Sequence, residues 1–249
     1  HTLRKQAFNL SRNEPRAAFA LFAIYIDDHE IPDGMRHYIR FPDPMKPFFC
    51  SAQMASIAAR STLFEIDITY LKHSYFKYQL HVVCFDEPTG TWMTVLRVPS
   101  PTYYEDFHCY AFLAFLNILK ETSEQFDVKK WISLVMDFSR AQLNGLRRAL
   151  HAFLPDLGAS EVEELIDKLF QGCLIHWLRS VRRVINSVCT TNTQKQIFSN
   201  ICNNIPPTAV GPKRDLLWTE LLKKFPTATK WVNWWRSPAI DTLLGYVDG

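Results

Sequence analysis

A chain of 249 residues that is 47% apolar, 14% aromatic and 21% charged has enough hydrophobic side chains to build a sizeable core, which excludes a disordered tail, a collagen and a small disulfide-stapled module. Its formal charge of +3 conceals an asymmetry: residues 177–249 hold ten Lys/Arg against four Asp/Glu, whereas residues 1–176 hold 18 against 21. A mildly acidic body with a basic C-terminal third suits a protein that meets a polyanion on one side. No run reaches the roughly 18 uncharged apolar residues of a membrane span, and the most apolar stretch, Ala17–Ile26, is closed by Asp27 and Asp28. No membrane partner is expected. With no secretory leader, the six scattered cysteines read as thiols in a reducing, intracellular compartment. The chain begins at His1 and is expected to be a piece of something longer.

In chain order, residues 1–60 read as a helical or irregular lead-in. Pro15 precedes a helical pattern over Arg16–Ile26, and the proline-rich segment Phe41–Phe49 is extended. From residue 63 the period becomes two: Phe64, Ile66, Ile68 and Tyr70 alternate with Glu65, Asp67 and Thr69, predicting a strand over Leu63–Leu71. Two further β-rich runs, Leu80–Phe85 and Trp92–Val98, flank a turn marked by Pro88-Thr89-Gly90. Three runs so closely connected predict an antiparallel meander. A helix follows over Tyr103–Gln125, then an unalternating apolar run, Trp131–Met136, of the kind found in a strand buried on both faces. Helices over Arg140–Phe153 and Ser160–Phe170 and a short strand over Cys173–His176 complete the core, after which the pattern is helical to the end. The order predicts an α/β core over residues 61–176 and an all-helical region over 177–249.

Four features carry possible chemistry. Asp67 sits mid-strand on the polar face, and Asp137 ends the buried strand just before a helix, at the sheet rim where α/β folds place their sites. Two aspartates on adjacent strands can hold a hard divalent ion; equally, Asp137 can cap its helix and Asp67 can be solvated. Cys173-x-x-His176 offers two zinc-type ligands where a structural zinc needs four, so the alternative is packing, with His176 free to act beside the acids. Arg179, Arg182, Arg183 and Asn186 fall on one helical face and Leu178, Val181, Ile185 and Val188 on the other. Such an arginine face grips phosphates or is simply solvated. Trp231, Trp234 and Trp235, beside Lys230 and Arg236, have both the composition of a base-stacking cluster and the spacing of a helix core.

The order of these features is more specific than any one of them. Asp67 in FEIDITY, two more strands, a long helix, Asp137 at the head of MDFSRAQLNGLRRALHAF and then GCLIHWLRSVRRV together resemble the catalytic domain of Mutator-like transposases, a branch of the ribonuclease H-like nucleases. The resemblance covers about residues 55–190 and continues more loosely to about 240. It implies a ribonuclease H-like mixed sheet, three antiparallel strands plus parallel ones, interrupted by a C-terminal helical insertion. It also implies a nuclease site of two aspartates and a glutamate holding Mg²⁺ or Mn²⁺ for DNA strand cleavage and transfer, in the nucleus and in a possible homodimer. Asp67 and Asp137 match the two aspartates; Cys173 and His176 match a Cys-x-x-His that lies near the site and positions DNA or the metal. The third acid has no counterpart: Glu220 falls inside the insertion, and no acid in the expected context follows it before Gly249. The resemblance therefore leaves a second expectation, a non-catalytic DNA-binding or protein-interaction protein descended from a transposase.

Overall fold

The computed structural model describes residues 39–40, 48–71 and 76–244; the helix expected over Arg16–Ile26 and most of the proline-rich segment lie outside them. The architecture is α/β, built on a mixed sheet. Its strands are β1 (Ile39–Arg40), β2 (Phe48–Phe49), β3 (Leu63–Tyr70), β4 (Tyr78–Asp86), β5 (Thr91–Ser100), β6 (Ser133–Met136) and β7 (Phe170–Gly172), in the spatial order β1-β2-β5-β4-β3-β6-β7. The helices are α1 (Ala52–Arg60), α2 (Glu105–Thr122), α3 (Arg140–Phe153), α4 (Ala159–Leu169), α5 (Leu174–Val188), α6 (Asn192–Asn204), α7 (Pro212–Lys224), α8 (Thr229–Trp235) and α9 (Pro238–Asp241). By their internal contacts the described residues fall into two compact units, those up to 134 with 140–169, and 135–139 with those from 170 onward.

In the first unit the alternating pattern determines the sheet. β3 and β4 pair antiparallel, as do β4 and β5, forming the expected meander. Phe64, Ile66, Leu80, Val82, Cys84, Leu96 and Val98 are buried on one face, and Phe115 of α2 meets Phe64 edge-on at 6.1 Å. Burying each such side chain is worth about 1.5–3 kcal/mol, which is why that face, and no other register, carries the helices. The β4–β5 turn is held by Gly90 at φ +65° and by Asp86, which accepts hydrogen bonds from Arg60 and from the Thr89 hydroxyl, both at 2.8 Å. Ser51 starts α1 by accepting the Met54 N–H at 3.0 Å. The sequence pattern did not announce the two-residue strands β1 and β2, which are too short to show a period.

The second unit is a helical cluster around Trp177, which is wholly buried and lies 6.0 Å from Trp218, 5.3 Å from Trp231 and 4.7 Å from Trp235, centre to centre. Val181, Ile185, Phe198, Ile201, Leu221 and Val232 fill the space around these rings. The strand expected over Cys173–His176 is displaced: β7 ends at Gly172, and Leu174 already opens α5. The cause is steric. A Cβ on Gly172 would stand 2.1 Å from the Phe138 ring, so the backbone approaches Phe138 closely there. The next N–H, that of Cys173, donates to the Met136 carbonyl at 2.9 Å, and the helix begins directly after that bond.

Candidate metal centre

Asp137 follows the last residue of β6, and only Phe138 and Ser139 separate it from α3. The Cys-x-x-His spacing explains how a histidine reaches it. Cys173 occupies the N-cap position of α5, is buried, and is tied through its N–H to Met136, the neighbour of Asp137. Three residues on, in the first turn of the helix, His176 brings its Nδ1 to 2.7 Å from Asp137 Oδ1. Both side chains are about three-quarters buried, 29% and 24% exposed, so a charge on either is less screened than it would be at the surface. Cys173 thus positions the helix start and His176 delivers the polar group.

The pair opens onto a groove lined also by Ser139, Ser180, Arg183 and Trp234. Arg179, Arg182 and Arg183 are all exposed on α5, as the helical face requires, but only Arg183 lines the groove. The tryptophan cluster divides. Trp235 is buried at 3%, the half-buried Trp231 donates its Nε1–H to Ser180 Oγ at 2.8 Å, and Trp234 is 47% exposed at the groove. Core spacing therefore accounts for two of the three rings. Glu220 lies on α7 in an exposed i,i+4 pair with Lys224 at 3.1 Å.

Asp67 stands at the centre of β3, half-buried, directly opposite His81 of β4. Burial, and secondarily the Arg97 guanidinium, lower the pKa of His81, while the Asp67 carboxylate pulls it the other way.

Protein-family models, curated proteins and solved structures were all compared with the chain, and none matches.

The Asp137–His176 pair offers a carboxylate oxygen and an imidazole nitrogen, both of them donors that a divalent ion accepts. Carboxylates suit Mg²⁺ and Mn²⁺, and the imidazole admits Mn²⁺ more readily than the all-oxygen preference of Mg²⁺ allows. The sequence left His176 between packing and a role beside the acids, and the resemblance implied a glutamate as the third ligand. The available signal was the spacing itself, since a Cys at an N-cap puts the residue three places on in the first turn of the helix, close to the strand end that the Cys N–H bonds.

Proposed function

We propose that the protein derives from a Mutator-like DNA transposase on a ribonuclease H-like fold, and that Asp67, Asp137 and His176 hold a divalent ion, Mn²⁺ or Mg²⁺, for cleavage and transfer of DNA strands. The reading is carried by the Asp137–His176 pair, 2.7 Å apart and about three-quarters buried just after β6. It is further supported by the order in which the two aspartates and the Cys-x-x-His follow one another in the sequence and by the exposed arginines of α5. A divalent ion so held would polarise a phosphodiester and make a nucleophile of water or a 3′-hydroxyl at neutral pH. The chain's own residues supply the rest. Asp67 and Asp137 bring the negative charge that a hard cation requires. His176, 2.7 Å from Asp137, steadies that carboxylate. Arg183, on the rim of the same groove as Asp137, offers a fork of donors to a phosphate, and Arg179 and Arg182 extend the positive face outward. A DNA substrate would place this work in the nucleus.

Calorimetric titration with Mn²⁺, paired with nicking of supercoiled plasmid, tests the assignment. Asp137→Asn is expected to weaken Mn²⁺ uptake by roughly a hundredfold and to remove any metal-dependent nicking, because a neutral amide replaces a charged ligand. Unchanged Mn²⁺ uptake in both Asp137→Asn and Asp67→Asn would overturn it.

A further inference from the structure

The sheet face that carries Asp67 carries a row of side chains as well. Asp67 lies opposite His81, His81 opposite Arg97, and Arg97 opposite Phe49, so the four form one rung across β3, β4, β5 and β2. Residues directly opposed on neighbouring strands project from the same face, with Cβ atoms about 4.5–5.5 Å apart. The rung lies on the face away from the buried Phe64, Ile66, Val82 and Leu96. Arg97 is exposed between the buried Leu96 and Val98, and among the described residues its guanidinium makes no hydrogen bond and no ion pair. An arginine in the middle of a strand, held to one face by the pleat and matched with no acid, is a fixed and unsatisfied fork of donors. That fork fits the oxygens of a phosphate better than it fits water alone. Two strand steps separate it from Asp67, about 10 Å between Cβ atoms by the usual spacing, and the imidazole of His81 stands between them.

We infer that Arg97, with His81 beside it, is a phosphate-binding subsite that lays the sugar–phosphate backbone of a DNA strand along this rung toward Asp67. The inference rests on the reading of Asp67 as a metal ligand of a nuclease. The substrate class it names is a polyanion with regularly spaced phosphates. The strand then crosses the sheet from β5 to β3, perpendicular to the β-strands, and a phosphate held at Arg97 fixes the register of the next phosphates toward the acids. Such contacts position the nucleic acid without reading its sequence.

Binding of a short labelled DNA duplex, measured without divalent metal over a range of salt concentrations, tests this. Arg97→Ala is expected to lower affinity several-fold and to make the slope of log affinity against log salt shallower by about one, the signature of one lost phosphate contact. Arg97→Lys keeps the charge and is expected to keep the slope. Lys168→Ala, which removes an exposed positive charge from α4, is the control and is expected to change neither quantity. The Mn²⁺ affinity of Arg97→Ala is expected to equal that of the unaltered protein. Arg97→Ala behaving as Lys168→Ala does overturns the subsite while leaving the metal assignment standing. A slope that depends on Arg97, alongside Mn²⁺ uptake indifferent to Asp67→Asn and Asp137→Asn, leaves the subsite standing and removes the nuclease reading.

Discussion

His108 is wholly buried on α2, and burial pushes its pKa down from 6.5 to about 4. The unfolded chain would bind a proton at about 6.5. A lowered folded value means that the folded state takes up the proton only at greater acidity. The associated stability is therefore fully present above pH 6.5 and is lost as the pH falls through the window toward 4. The gap corresponds to about 3 kcal/mol, at roughly 1.4 kcal/mol per pH unit. The melting temperature should fall across that window, and His108→Leu should flatten the fall; an unaltered profile in the variant would remove the assignment. Asp86 acts in a different range. Hydrogen bonds from Arg60 and Thr89 hold its carboxyl below the ordinary value, so its contribution is present above about 3.8 and is lost only at lower pH. The two groups can thus be told apart by titration. At this scale the sequence was informative where a residue's place in a pattern was plain: Asp67 from the alternation of its strand, Asp137 from its position between an apolar run and a helix. It was silent on His108, whose burial depends on which helix crosses α2.

That crossing is made by α3, and it depends on a glycine. A Cβ on Gly145 would stand 2.3 Å from His108 Cβ and 2.8 Å from the Cys109 nitrogen, an approach that no ordinary packing tolerates. Replacing a helical glycine with alanine ordinarily stabilises by about 0.5–1 kcal/mol. Here Gly145→Ala should reverse the sign and cost roughly 1–3 kcal/mol, because α2 and α3 must part. Gly158→Ala, whose added Cβ would meet nothing nearer than the Glu161 Oε2 at 3.4 Å, is the control and should stay near neutral in a thermal melt. Elements with strong periodicity were legible to within about two residues at most of their ends: β3, β4, β5, α2, α3 and α4 all formed over the expected stretches. The segment after α4 was not. Four residues of mixed character, Cys173–His176, suit a strand or a helix start equally well. The choice was made by the close approach of Gly172 to Phe138 and by the Cys173–Met136 hydrogen bond, contacts between stretches more than thirty residues apart in the chain.

For the molecule as a whole, the proposed ion makes stability depend on metal concentration. A ligand that binds only the folded state stabilises by about 2.7 kcal/mol at a hundred times its dissociation constant, which for a chain of this size raises the melting temperature by roughly 5–10 °C. Mn²⁺ should produce such a shift in the unaltered protein and little of it in Asp67→Asn; equal shifts in both would remove Asp67 from the ligand set. The distribution of charge is also a property of the whole chain, with its excess of positive charge after residue 176, and α5 displays three arginines of that region as an exposed face.

The sequence alone determined the meander, the principal helices and the two acids, because each is written in a local period or a local change of period. The tertiary structure decided what stands beside those acids. That His176 rests on Asp137, that Arg97 shares a rung with Asp67, and that Trp234 stays exposed while Trp235 is buried are matters of register and close packing. Those are settled by contacts between distant parts of the chain, which no local pattern encodes.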